Sequence, residues 1–70
     1  MTHNEIARLQ TYLRTLFSNP RLRVVGRKGK DDSAEVMIED EFIGVIFKDD
    51  EDEDLSYAFQ MAILDIDLPD

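Results

Sequence analysis

The chain has 70 residues, no cysteine and one histidine, and its eight bases against sixteen acids leave a net charge of −8. That length allows one domain, which buries only about 60% of its extended-chain surface and draws roughly 3–5 kcal/mol of net stability from its core. Without cysteine there are no disulfides or thiolate sites, and a lone histidine excludes a multi-histidine metal site, so oligomerisation is the expected source of further stability.

Charge is sorted along the chain. Residues 1–30 hold seven bases and one acid, Glu5, for +6. Residues 31–70 hold one base, Lys48, and fifteen acids, for −14. Such a molecule can attract itself or a charged partner. The acidic balance argues against nucleic acid, because phosphate binding needs a positive surface. No apolar run approaches the ~20 residues of a membrane span. Met1-Thr2-His3-Asn4-Glu5 lacks the basic flank and apolar stretch of a signal peptide. A cytoplasmic protein is therefore expected, with neither nucleic acid nor membrane as partner.

Thr2 and Glu5 have the spacing of a capping box. Ile6, Leu9, Leu13, Leu16 and Phe17 then recur at the helical period, with Arg8 and Arg14 off that stripe. Ser18-Asn19-Pro20 stops the helix, so a helix over residues 3–18 is predicted. Short strands follow near residues 22–27, 33–39, 42–48 and 55–64. The first two are joined by a glycine-containing polar loop, residues 26–32. Residues 33–39 alternate Ala34, Val36 and Ile38 against polar neighbours and Met37. Asp40-Glu41 is the expected second turn.

Residues 42–48 are apolar on both faces, Phe42 and Ile46 on one and Ile43, Val45 and Phe47 on the other. That marks a central strand. Gly44 within it signals a bulge or a close approach of another backbone. Residues 49–54 are six consecutive acids and read as a loop. In residues 55–64, alternation of Tyr57, Phe59, Met61 and Ile63 favours a strand. Phe59, Ala62 and Ile63 also fit a helix, and the segment is rich in helix formers. Residues 65–70 read as a loosely held tail. The fold class is α+β, an N-terminal helix packed on a four-stranded antiparallel β-meander, in a single domain covering residues 1–70.

Several phrases of this chain, Asp31 to Val36, Asp40 to Val45, and Leu55-Ser56-Tyr57 leading into Phe59 to Asp65, resemble the small bacterial proteins of domain of unknown function family 3126. The resemblance covers nearly the whole chain. It implies a compact cytoplasmic bacterial protein and carries over no site residue. This chain departs from that pattern at Glu53, where such proteins often have a glycine.

Candidate chemistry is sparse. Asp50, Asp52 and Asp54 have the 1-3-5 spacing of a calcium loop, but Leu55 and Met61 stand where glycine and a bidentate glutamate belong. A solvated acidic loop with weak divalent binding remains. Gly26-Arg27-Lys28-Gly29-Lys30 is too short for a phosphate loop, and Asp31 follows in place of Ser or Thr. His3 has no second histidine or cysteine. Ser18, Ser33 and Ser56 sit in no nucleophile-elbow sequence. Tyr57, Phe59 and Met61 form a stripe that serves either as sheet core or as subunit interface.

One helix covers one face of a sheet, so the apolar face left over on strand 42–48 must be hidden. Phe42, Ile43, Val45, Ile46 and Phe47 are the interface candidates. The resulting reading is a non-enzymatic interaction module with no cofactor, self-associating as a homodimer, with an acidic surface for a basic protein partner. The alternative is a weak divalent-cation or small-ligand binder using residues 49–54.

Repulsion among the six adjacent acids is screened by salt over ~10 Å at 0.1 M. Moderate salt therefore raises the melting temperature, and converting Asp50 and Asp52 together to Asn stabilises the fold and shrinks the salt effect. Thermal denaturation up to about half-molar sodium chloride reads this. A steady fall would mean that opposite-charge contacts are the stronger effect.

Overall fold

A computed structural model describes residues 1–51 and 54–70. Helix α1 (His3–Leu16) precedes strands β1 (Leu22–Arg27), β2 (Lys30–Ile38), β3 (Glu41–Asp49) and β4 (Ser56–Gln60), and a short 3-10 turn spans Asp65–Asp67. The strands form one antiparallel sheet in chain order, with α1 on one face. This is the α+β helix-on-meander arrangement expected.

The capping box forms as its spacing requires. Thr2 Oγ1 accepts from the Glu5 amide at 3.1 Å, and the Thr2 amide donates to Glu5 Oε1 at 3.0 Å. Such a cap contributes about 1 kcal/mol. The helix ends at Leu16, two residues earlier than expected. Ser18 turns the chain with φ 52°, and the Asn19 amide closes back on the Arg14 carbonyl at 2.9 Å. The left-handed residue stops the helix before Pro20 can.

The first turn is tighter than the sequence suggested, and the second is shifted by one residue. The first is only Lys28-Gly29, with Gly29 at φ 75°, so β2 begins at Lys30 rather than Ser33. The extra β2 residues are absorbed by a register shift beside Gly26 and Arg27. The second turn is Glu39-Asp40 rather than Asp40-Glu41, with Glu39 at φ 56°. Arg21 pairs with the Glu39 carboxylate, and Arg23 donates to its carbonyl at 2.9 Å. These contacts hold a non-glycine residue in a conformation that costs about 1–2 kcal/mol.

Leu13, Leu22, Val24, Ala34, Val36 and Ile46 form the buried core, with Ile6, Leu9, Ile43 and Phe59 packed around it. The alternation read for β2 holds, since Ala34 and Val36 are fully buried. The faces assigned to β3 do not. Val36 pairs with Gly44, but Met37 pairs with Phe42, so Ile43 is an extra, bulged residue. The bulge shifts the alternation by one position. Ile43 and Ile46 therefore both pack on the helix-side core, while Phe42, Val45 and Phe47 line the opposite face. β4 ends at Gln60, opposite Val45 and just before that bulge. Residues 61–64 beyond it are neither strand nor helix.

The helix lies chiefly over β1 and closes that edge of the sheet. Gln10 Oε1 accepts from the Val24 amide at 3.0 Å, and Arg14 Nε donates to the Leu22 carbonyl at 2.7 Å. Two side chains thus occupy the backbone groups through which an exposed edge strand recruits another chain.

Gly44 permits the close approach its position suggested. A Cβ there would sit 2.5 Å from both the Phe59 ring and the Gln60 carbonyl oxygen. Gly44→Ala should therefore cost about 1–3 kcal/mol by overpacking, measured by urea denaturation. A variant as stable as the parent would mean that β4 does not lie this close to β3.

Candidate functional site

A cleft of about 620 Å³ opens between α1 and β4. Tyr12, Leu13, Leu16 and Phe17 form its helix wall, and Leu55, Tyr57 and Phe59 form its sheet wall. Leu16 and Phe17 belong to the apolar stripe of α1, yet they are 57% and 52% exposed. Tyr12 and Leu55 are exposed as well. Arg8 stands at the cleft with Glu5.

Contacts span both ends of the cleft. At the far end the Phe17 and Phe59 rings meet edge to face, with centroids 6.5 Å apart. At the near end Glu5 draws three elements together. Its carboxylate accepts from Tyr57 Oη at 2.7 Å and pairs with Lys48 Nζ at 2.9 Å. The Thr2 amide, then Lys48 and Tyr57, hold the Glu5 carboxyl down from 4.5 to about 2. The bond to Glu5 raises both Lys48 and Tyr57. Every shift moves its group away from neutrality. None of the three exchanges a proton near pH 7, so the cluster clamps the elements and supplies no acid–base pair.

The second surface is the sheet face opposite the helix. Phe42 is 53% exposed and Phe47 37%, and together with Val45, Met61 and Ala62 they line a shallow hollow. Of the five interface candidates, Phe42, Val45 and Phe47 thus lie on this open face. Ile46 is 1% exposed and Ile43 packs on the core, so those two are not available to a partner. Met61 leaves the stripe of Tyr57 and Phe59, because β4 has ended before it and it turns to the open face.

The third feature is the segment after β4. All of residues 61–70 are exposed, and Ile66 is 87% so. Ile63 and Leu64 line an open hollow with Glu41, Phe42 and Ile43 at the end of the sheet. The molecule measures 44 × 23 × 23 Å.

The remaining candidates are not brought together. Asp50 and Asp54 are exposed, and the Asp49 carboxylate accepts from the Glu51 amide at 3.2 Å. Asp52 and Glu53 lie outside the described residues, and with them the ion-binding reading of the loop. Among the described residues no group of three or more His, Cys, Asp or Glu is placed to hold a metal. His3 is exposed, while Ser33 is buried and accepts from Arg27 at 3.3 Å. No described helix is long and apolar enough to cross a membrane.

The sequence profile of a family described as Protein of unknown function (DUF3126) matches residues 5–67. The chain belongs to that family. The match takes in nearly all of α1, the four strands and the 3-10 turn, as the phrases from Asp31 to Asp65 implied. No curated protein and no solved structure matches the chain.

Sequence reasoning missed Gln10 and Arg14 as partners of the β1 edge, and the Glu5–Lys48–Tyr57 cluster. A signal for the cluster exists. Lys48 is the only base among residues 31–70, and Glu5 is the only acid before them.

The cluster makes stability depend on pH in a defined direction. A depressed carboxyl contributes stability that is present above 4.5 and lost as the pH falls toward about 2. The raised groups Lys48 and Tyr57 contribute stability that is whole below their ordinary values of 10.5 and 10.0 and lost in more alkaline solution. Gln keeps the capping geometry without the charge. Glu5→Gln should therefore be less stable at pH 7 and lose less stability between pH 4.5 and 2, as followed by chemical denaturation across that range. An acid profile identical to the parent's would remove Glu5 from the clamp.

Proposed function

We propose that the protein is a non-enzymatic interaction module that self-associates and offers an acidic surface to a basic protein partner. The open sheet face carries this reading. Phe42, Val45 and Phe47 stand on a four-stranded sheet whose α-helix, α1, lies on the other side. Exposed apolar patches rimmed by polar residues mark protein interaction sites. A second copy covers such a face by packing sheet on sheet, ~10 Å apart.

The chemistry of the charged groups supports a non-catalytic role. Among the described residues, the most perturbed carboxyl, Glu5, accepts from three donors and is moved away from the neutral range. The fifteen acids of residues 31–70 supply the surface for a basic partner, which electrostatic complementarity would steer and select.

Sedimentation at micromolar concentration should show a dimer or larger. Burial distinguishes two variants. Ile46→Asp places an unpaired charge in the core and should unfold the chain. Phe47→Asp alters a residue that is 37% exposed and should yield a folded monomer. A parent protein that stays monomeric at high concentration would overturn the reading.

A further inference from the structure

The cleft and the segment after β4 are two apolar surfaces of one chain, each without a partner among the described residues. They are complementary in shape. Residues 61–64 are neither strand nor helix, and Leu64 and Leu68 are both in the β region on either side of the short 3-10 turn. The cleft is a furrow, closed on the helix side by Tyr12 and Leu16 and running from Arg8 to Phe17.

They are also complementary in charge. Residues 61–70 carry Asp65, Asp67 and Asp70 and no base. The cleft presents Arg8, and its one acid, Glu5, is already bonded to Lys48, Tyr57 and the Thr2 amide.

The two sheet edges differ in a way that points to the same place. Gln10 and Arg14 occupy the β1 edge. Among the described residues nothing bonds to the outer edge of β4. Its five residues, Ser56 to Gln60, include no charge, proline or glycine to discourage pairing. An extended segment lying beside the cleft would find backbone partners there, the mode in which peptides add to a sheet edge.

The segment does not enter the cleft of its own chain. β4 runs out of the cleft past Phe59, and residues 61–64 continue onto Glu41, Phe42 and Ile43, on the other side of the bulge.

The geometry points to an exchanged arm: in the dimer, residues 61–68 of a second copy pass along the open β4 edge and fill the α1–β4 cleft, seating Ile66 and Leu68 against Tyr12, Leu16 and Phe17. Reach permits it. Drawn out fully, with the 3-10 turn at Asp65–Asp67 opened on docking, eight residues span about 26 Å. Crossing to the partner's sheet uses ~10 Å of that, and rounding its β4 edge to the helix side uses a further ~5 Å. The remaining ~11 Å covers most of the ~14 Å of helix from Arg8 to Phe17. Two arms exchanged about a two-fold axis make a closed, self-complementary contact.

The inference rests on self-association through the sheet face, and the test separates the two. Equal amounts of isotope-labelled and unlabelled full-length chain are mixed, and isotope-filtered NOEs are recorded. Contacts between chains should join the Ile66 and Leu68 methyls to the Tyr12 and Phe17 rings. Ile66→Asp should erase them and weaken dimerisation by about a hundredfold or more, in line with losing two buried aliphatic side chains from each two-armed dimer. Because Ile66 is 87% exposed in the single chain, this variant keeps the monomer fold, which amide spectra verify. A dimer whose residues 61–68 show no contact with the cleft, or contact only their own chain, overturns the exchanged arm and leaves sheet-face association standing. A monomer overturns both.

Discussion

One helix has to cover four strands, and it is too narrow to do so. An α-helix with its side chains is about 10 Å across. Four strands ~4.8 Å apart spread over about 14 Å between the outermost axes. A helix can be centred and leave both edges half-covered, or lie to one side. This chain lies to one side, because Gln10 and Arg14 reach from α1 to the backbone of β1. The consequences fall on β4. Its edge stays open, a cleft of about 620 Å³ separates it from the helix, and Leu16 and Phe17 remain half exposed on a stripe built to be buried.

Glu5 keeps that opening from widening. One carboxylate closes the capping box, pairs with Lys48 on β3 and accepts from Tyr57 on β4. Helix start, central strand and edge strand thus share a single anion. Charge-assisted hydrogen bonds are stronger than neutral ones, and each donor here comes from a different element. Phe17 and Phe59 do the same at the other end with an aromatic contact. Between these two ties the walls of the cleft are joined by no ring contact or hydrogen bond among the described residues, so its space can accept side chains from outside.

The second face of the sheet depends on the bulge at Ile43. The bulge rotates Phe42 away from the helix and brings Ile43 beneath it. The core gains an aliphatic residue, and the open face gains an aromatic one next to Phe47. β4 ends at Gln60, opposite Val45, and the residues after it are no longer in the sheet. A single inserted residue therefore shapes both the core and the exposed patch. Gly44 beside it has to lack a side chain because the Phe59 ring occupies that space.

Much of this was written locally in the chain. Thr2 and Glu5 declared the helix start, and the period-two pattern of Ala34 and Val36 declared the face of β2. Those features involve residues within a few positions of one another, where hydrogen-bond geometry and alternation are the whole cause. Gly44 signalled a bulge or a close approach, and the structure has a bulge beside it and the Phe59 ring against it. The missing disulfides followed from composition, and the surplus of apolar surface from the pattern of residues 42–48 beside one helix. Which residues faced outward on β3 did not, because one bulged residue inverts an alternation without altering composition. The side on which the helix lies was equally hidden. It depends on Gln10 and Arg14 meeting a strand edge that exists only once the sheet has formed. Only the tertiary structure brings Glu5 to Lys48 and Tyr57 across more than forty residues of chain, and only it leaves the cleft and the segment 61–68 both unfilled.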